Sequence, residues 1–588
     1  MLRFLTMNSS RLQKLLHYLR PHWKPTALGI GALFFVNGLG VYIPLLIRNA
    51  IDELQISFSV DIVLRYVFFI LILATVMWVI RVASRMWIFG VGRQVEFDLK
   101  QRIFEHLLTL EMSYFATHPI GDTINRSTSD VDNIRRLVGF AVLSLVNTLF
   151  AYLLTLPVMI AIDVRLTLFS LLIYPVMFVV VWLSSNRLRT EQMVLQEKLS
   201  DMSGTIQEDM SGMALIKIYS QEENERRAFR DLNRDLLKAN LDLARTRTIL
   251  FPLLQGLASG SLLILLAFGS SAIADGRIDV GDLVALIIYV ERLVFPTALL
   301  GFTLTIYQRG EVSIDRIEAI FTVEPKIRNT ETSEPLAVDL VQGKIEARHL
   351  SYRYRDSEKA ALDDLSFEIF PGETVAIVGS IGSGKSTLVQ AFPRLLNIAP
   401  GQLFLDGIDI TQIRIEDLRR AIAYVPQESF LFSTTIQNNI RYGAPLTPLN
   451  EIKPVAEQAQ IHAEILNFPQ QYETVVGERG ITLSGGQRQR TSLARALLVD
   501  APILILDDAL SSVDNQTATN ILKNLSSQTQ RKTVIFISHQ MSAAAMADRI
   551  FVMEEGEIVQ TGTHAELIGQ GGLYQSLWEI QKFEELLI

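Results

Sequence analysis

The first half of the chain is dominated by long apolar runs. Two of these runs contain a few charged residues: residues 61–90, and residues 280–307, which are interrupted by Glu291 and Arg292. The other four contain no Asp, Glu, Lys or Arg and cover residues 25–47, 137–162, 166–186 and 248–274. An α-helix needs about 20 apolar residues to cross the hydrocarbon layer of a membrane. One such run also fits a buried core helix, but six in succession predict a domain of six membrane-spanning helices.

Lys and Arg are concentrated in alternate connections between these runs. Residues 81–136 hold eight and residues 187–247 hold eleven, whereas the opposite connections hold only Arg48, Arg165 and Arg277. Cytoplasmic connections carry the excess of Lys and Arg, so both ends of the chain are predicted to face the cytoplasm.

The N-terminal segment, residues 1–24, is basic and amphipathic. Its leucines recur at helical spacing, at Leu12, Leu15, Leu16 and Leu19. We predict an elbow helix over residues 9–23 that lies in the cytoplasmic interface of the membrane, without a cleavable signal sequence. A cytosolic lead-in helix would show the same pattern.

The two cytoplasmic connections are rich in charge but keep a helical apolar rhythm. An excursion of roughly 25 residues each way extends on the order of 35 Å from the bilayer, because a helix rises about 1.5 Å per residue. We therefore expect stalks that turn at helix-breaking residues, His118–Asp122 and Met210–Met213. Solvated extensions with no contact at their tips are the alternative.

The pattern changes after Tyr307, where a polar stretch containing Pro325 and Pro335 begins. Beyond it, short β-rich runs alternate with helical patterns, which is typical of an α/β domain with a largely parallel sheet. The predicted domains after the elbow are a transmembrane domain over residues 25–310, a linker over residues 311–342 and an α/β domain over residues 343–588.

Composition adds little to this picture. The formal net charge of −8 and the mean hydropathy of +0.27 average two unlike halves, so neither indicates a partner, and no nucleic-acid partner is expected. The chain has no cysteine, which excludes disulfides and thiolate metal sites.

The strongest chemical signal is a glycine-rich loop between an apolar strand-like run and a helical pattern. In such a loop, backbone N–H groups point at phosphate oxygens, and the helix that follows presents its positive end to the same anion. Lys385 would supply a charge for the β- and γ-phosphates, and the Ser386 hydroxyl would ligate Mg²⁺. The predicted phosphate-binding residues are Gly379, Ser380, Gly382, Ser383, Gly384, Lys385, Ser386 and Thr387.

Two further motifs, Leu483–Gln487 and Ile503–Asp508, stand after this loop in a fixed order. With them the whole chain resembles an ABC exporter half-transporter, in which Leu483–Gln487 is the signature sequence. The resemblance implies a six-helix membrane domain of the type IV ABC exporter kind, fused to an α/β P-loop NTPase domain. It also implies ATP and Mg²⁺ as cofactors.

The same resemblance implies roles for individual residues. Tyr354 would stack on adenine, Gln427 would sense Mg²⁺ and the attacking water, and His539 would contact the γ-phosphate. Asp507 would hold Mg²⁺ together with Ser386 and Gln427. The residues expected to bind the nucleotide of a partner subunit are Ser484, Gly485, Gly486 and Gln487, and Ser511–Asp514 would form the dimer contact.

The chain departs from the family pattern at Asp508, where the residue that polarises the attacking water is normally Glu. Because Asp is one methylene shorter, slow hydrolysis is expected. Such an Asp recurs in subunits of bacterial heterodimeric exporters, so a heterodimer is the favoured assembly. A homodimer that tolerates Asp508 is the alternative.

The implied function is ATP-driven export by alternating access, from the bacterial inner (plasma) membrane with the nucleotide-binding domain in the cytoplasm. The resemblance gives Tyr114–Thr123 and Gln207–Met213 as coupling segments and Thr474–Gly480 as the loop that touches them. An ATP-gated channel or regulatory receptor is the alternative, while importers usually keep the two domains on separate chains. The apolar spans favour an amphipathic, drug-like or lipid-like cargo, although lipid-facing surface looks the same.

Glu291 and Arg292 lie near the middle of the sixth span. Ionisable groups at that depth are costly and usually mark a functional path. A substrate or gating role and a structural ion pair between helices are both compatible with Glu291.

Overall fold

The structure is a computed structural model that describes residues 9–355, 357–477, 480, 482–526 and 532–587. These residues include six helices that are long and apolar enough to cross a membrane. The chain divides into two compact units, each made of two segments. The first unit contains the chain up to Leu108 and the segment His118–Val323, and the second contains Thr109–Thr117 and the chain from Glu324 onward.

The helices before residue 323 follow one another with few breaks. In chain order they are α1 (Ser9–Leu19), α2 (Trp23–Ile56), α3 (Val60–Thr109), α4 (Met112–Thr117), α5 (Ile120–Asn125), α6 (Val131–Arg136), α7 (Val142–Ile162), α8 (Val164–Leu171), α9 (Ile173–Ser211), α10 (Met213–Ile218), α11 (Glu222–Ala274) and α12 (Val280–Phe321). Two π-helical turns, Arg126–Asp130 and Leu137–Ala141, join α5, α6 and α7.

Each predicted apolar run lies within these helices, so the six-span prediction is confirmed. The charged connections are helical as well: α3 has 50 residues and α11 has 53. The helices break at His118–Pro119 and at Gly212, within the two predicted turns, and the short helices α4 and α10 lie beside these breaks. Helix α12 continues past residue 310 to Phe321, so the stretch predicted as linker starts inside a helix.

Hydrogen bonds between helices fix the packing of the first unit. The Tyr289 hydroxyl of α12, whose side chain is buried, donates to the Val41 carbonyl of α2 at 2.6 Å. The Tyr174 hydroxyl of α9 donates to the Val290 carbonyl at 2.6 Å. Such bonds hold helices together where apolar burial no longer distinguishes protein from lipid.

The second unit is built around two sheets. Its strands are β1 (Ile345–Tyr352), β2 (Leu362–Ile369), β3 (Thr374–Gly379), β4 (Leu403–Leu405), β5 (Ile408–Asp409), β6 (Ile422–Val425), β7 (Ile503–Asp507), β8 (Thr533–Ile537), β9 (Arg549–Glu554) and β10 (Glu557–Gly562). One sheet is antiparallel with the order β2-β1-β4-β5. The other has the order β10-β9-β3-β8-β7-β6 and is parallel except for β10.

Helices cover the parallel sheet, as its fully buried strands β7 and β8 require. The helices of the second unit are α13 (Lys385–Ala391), α14 (Ile415–Arg420), α15 (Ile436–Ile440), α16 (Leu449–Gln458), α17 (His462–Leu466), α18 (Gly485–Val499), α19 (Asn515–Ser526), α20 (Met541–Ala544), α21 (His564–Gln570) and α22 (Leu573–Leu587). The strands β3, β8 and β7 are adjacent, so their carboxyl ends lie at one edge of the sheet. Ligands of open α/β sheets bind at that edge.

Candidate functional site

The glycine-rich loop runs from the end of β3 into α13. Gly379, Gly382 and Gly384 have φ angles of 148°, 82° and 97°, a region that L side chains rarely adopt. A Cβ on Gly384 would also meet the Ala361 carbonyl oxygen. The predicted glycines are therefore required by the backbone of the loop.

The Lys385 side chain curls back over this loop and is buried. Its Nζ donates to the carbonyl oxygens of Gly379 at 3.0 Å and Ser380 at 2.6 Å, and to Ser383 Oγ at 3.3 Å. Burial lowers the pKa of Lys385, and the carboxylates of Asp507 and Asp508 oppose that shift. The lysine is thus held where its charge faces the loop.

The predicted metal ligands Ser386 and Asp507 meet at the end of β7. Ser386 Oγ donates to Asp507 Oδ1 at 2.8 Å, and the Tyr424 hydroxyl of β6 donates to Asp507 Oδ2 at 2.8 Å. Asp507 is only 2% exposed, and burial raises the pKa of Tyr424, so the phenol remains a donor. Sequence reasoning missed Tyr424, because its contact depends on the pairing of β6 with β7.

Asp508 follows Asp507 and is 8% exposed, with a left-handed φ of 50°. Its backbone carbonyl accepts from Ser511 Oγ at 2.9 Å. Burial raises the pKa of Asp508, while the nearby charges of His539 and Lys385 oppose the shift. Lys385 and His539 thus lie near enough to Asp508 for their charges to influence its carboxyl group, and their roles in one site stay a prediction.

Tyr354 and Gln427 are both exposed. The Tyr354 hydroxyl lies 3.2 Å from Thr387 Oγ1, and its ring meets Tyr352 edge-on with centroids 5.1 Å apart. An exposed aromatic ring beside the loop is the arrangement that base stacking needs. Gln427 follows β6 and has no described side-chain hydrogen bond to the other site residues.

The signature residues form the start of α18. Ser484 and Gln487 cap each other: Ser484 Oγ accepts from the Gln487 amide at 3.2 Å, and Gln487 Oε1 accepts from the Ser484 amide at 2.9 Å. A Cβ on Gly486 would lie 2.8 Å from the Ser512 carbonyl oxygen. Gly485 and Gly486 thus let the Ser511–Asp514 segment approach closely. Among the described residues no hydrogen bond links these signature residues to Lys385 or the loop around it.

Gln489 was missed by sequence reasoning. Its Nε2 donates to Ser511 Oγ at 3.0 Å, and its Oε1 accepts from the Ser512 amide at 2.8 Å. This side chain therefore ties α18 to the segment that follows Asp508. In the predicted loop Thr474–Gly480, Glu478 and Arg479 lie outside the described residues.

Comparisons with known proteins agree over both units. Residues 26–297 match the model of the ABC transporter transmembrane region, and residues 362–511 match the ABC transporter model. A probable multidrug resistance ABC transporter ATP-binding/permease protein of Bacillus subtilis, YheI, is 32% identical over 97% of this chain and 98% of its own length. The multidrug resistance-like ATP-binding protein MdlA of Escherichia coli is 32% identical over 97% and 96%. The structure of a bacterial Atm1-family ABC exporter with ATP bound shares the fold, with a TM-score of 0.77, 23% identity and coverage of 95% of this chain and 99% of that one.

Proposed function

The chain belongs to the ABC transporter family as a multi-pass membrane exporter that hydrolyses ATP, and we propose that its cargo is an amphipathic, drug-like or lipid-like compound moved by alternating access. The observation that carries this proposal is the fusion of six apolar helices to a domain in which Lys385, Ser386 and Asp507 share one edge of the sheet. The names of the relatives, which describe multidrug proteins, support the drug-like class.

ATP would bind along the glycine-rich loop. Lys385 and the loop amides would stabilise negative charge on the phosphates, and Tyr354 would stack on the base. The two oxygen donors, Ser386 Oγ and Asp507 Oδ1, lie together at 2.8 Å and suit Mg²⁺, which takes few protein ligands and completes its shell with phosphate oxygens and water. Gln427 is the further ligand proposed. Bound Mg²⁺ would neutralise charge that develops on the transferring phosphoryl group.

The assembly is a dimer of half-transporters, and we propose that Ser484–Gln487 of one chain completes the nucleotide site of the other. The capped start of α18 offers backbone N–H groups and a positive helix end to a γ-phosphate. Its position on the Ser511–Asp514 segment supports a contact face that includes both elements.

Asp508 makes a heterodimer the favoured assembly, in which this chain contributes the slower site. The base lies one methylene short, which misplaces the carboxylate that polarises the attacking water and so slows hydrolysis. His539 would orient the γ-phosphate rather than replace this base.

Transport in sealed vesicles tests the proposed function. The full chain, alone and with a candidate partner, is reconstituted with a fluorescent amphiphile, and movement is followed after ATP is added. ATP-dependent movement is expected, and Lys385→Ala should abolish it, whereas Lys359→Ala, at a lysine whose side chain is 87% exposed, should not. Undiminished transport by Lys385→Ala would contradict the proposal, and ion conductance without ATP turnover would identify a channel instead.

A further inference from the structure

A cavity of about 410 Å³ lies between α11 and α12 within the first unit. Its volume is in the range of pockets that hold drug-sized ligands. Nine of its twelve lining residues are apolar, and the polar ones are Gln255, Ser259 and Glu291. All twelve lining residues belong to this one chain.

Glu291 is the single ionisable residue that lines this cavity. It is exposed, and the structure describes no ion pair or hydrogen bond for its side chain. The facing stretch of α11, residues 254–265, contains no Lys or Arg. The carboxylate therefore has no counter-ion from either wall.

The adjacent Arg292 does not neutralise Glu291, because its side chain turns toward α2. Its Nη2 donates to the Asn37 carbonyl oxygen at 3.2 Å and to Asn37 Oδ1 at 3.3 Å. A Cβ on Gly40 would overlap the Arg292 guanidinium, so the glycine leaves space for it on that side. This packing turns the Arg292 charge toward α2, and Glu291 keeps a negative charge facing an apolar cavity without a described ion pair between helices.

An aromatic ring lies one turn from this carboxylate. Phe295 follows Glu291 by four residues, so the two side chains share a face of α12, and both line the cavity. The ring is 63% exposed. A carboxylate and an aromatic face together attract a large, weakly hydrated cation, whereas the same carboxylate repels an anion of equal shape.

We infer that Glu291 selects organic cations as cargo and that the cavity between α11 and α12 is their binding site. The inference deepens the proposed function and rests on it only for the later step of transport. Gln255 and Ser259 on α11 offer polar contacts without opposing the charge. Binding itself needs neither ATP nor the partner chain.

Two probes of nearly equal shape and opposite charge, tetraphenylphosphonium and tetraphenylborate, provide the test. Binding to the full chain in lipid nanodiscs is measured by titration calorimetry without ATP, and binding to protein-free nanodiscs is subtracted. The wild-type chain is expected to bind the cation at least about tenfold more tightly than the anion, because truncating one partner of a desolvated charge pair typically costs more than a factor of ten. Glu291→Gln should remove this preference and Glu291→Asp should retain most of it.

Glu53→Gln is the matched control, because Glu53 pairs with Arg65 away from the cavity. It should leave the preference unchanged. Equal binding of both ions by the wild type, or an unchanged preference in Glu291→Gln, would overturn the inference. Charge-selective binding in a chain that shows no ATP-dependent transport would instead contradict the proposed function and leave this inference standing.

Discussion

Replacing Asp508 with Glu tests how the chain limits its own ATP turnover. Asp508 directly follows β7 and is buried, so its carboxylate cannot move far to compensate for a short side chain. One missing methylene places that carboxylate on the order of 1 Å from the position of a Glu carboxylate, and a misplacement of this size costs about 100-fold in rate. That factor corresponds to about 2.7 kcal/mol of activation free energy.

The backbone at this position opposes part of the gain. With a φ of 50°, residue 508 adopts the left-handed region, which Asp tolerates better than Glu. We expect Asp508→Glu to raise ATP turnover by up to about 100-fold and to lower the free energy of unfolding by about 1 kcal/mol.

The assay is phosphate release by the purified full chain in nanodiscs at saturating ATP, with thermal unfolding measured on the same samples. Asp508→Asn serves as the control that removes the base without changing its length. A wild type as fast as Asp508→Glu, combined with an inactive Asp508→Asn, would refute the reasoning and favour a self-sufficient homodimer.

Three further predictions concern protonation, hydrogen bonding and coupling. Burial raises the pKa of Asp508 above its ordinary value of 3.8, so the ionised base is lost as the pH falls through that raised pKa. ATP turnover should therefore begin to fall on acidification at a pH above 3.8. An identical fall in Asp508→Asn would contradict this prediction. Tyr424→Phe removes a hydrogen-bond donor from Asp507 and should lower the free energy of unfolding, measured by chemical denaturation, by about 1–3 kcal/mol. A smaller loss would show that Asp507 does not need this hydrogen bond. Inserting Gly-Ser-Gly-Ser after His118 should preserve ATP turnover but abolish export, because Thr109–Thr117, which contains α4, groups with the nucleotide-binding unit while the chain from His118 groups with the membrane unit. The same insertion after Gly276 is the control. Full export by the His118 insertion would exclude this segment as a coupling element.

The features that the sequence predicts well are those encoded locally. Apolar runs predict membrane helices directly, since length and hydropathy decide whether a helix can span the membrane. The glycine-rich loop is also local: Gly379, Gly382 and Gly384 have positive φ angles that follow from residue type and spacing.

Features that depend on distant residues were not predictable in the same way. The Tyr424 bond to Asp507 requires β6 to pair with β7, and residues 424 and 507 are far apart in sequence. The turn of Arg292 toward Asn37 likewise depends on how α12 packs against α2. The end of α12 at Phe321 was missed because polar residues continue a helix as readily as they form a linker.

In the proposed heterodimer, Asp508 would connect the local backbone conformation with unequal hydrolysis rates at the two sites. A Glu at this position would hold a better-placed base on a left-handed backbone that disfavours it, which is the kind of strain that functional sites retain. A subunit whose partner carries the faster site does not need that strain, and Asp then suits the left-handed backbone. The bond from Ser511 Oγ goes to the backbone carbonyl of residue 508 and does not depend on the side chain. The proposed function also accounts for the intact rest of the site, because Lys385, Ser386 and Asp507 would still be needed to bind the nucleotide and close the dimer where hydrolysis is slow. Slow turnover at this site would therefore keep one nucleotide bound and the dimer associated while the partner site completes its cycle.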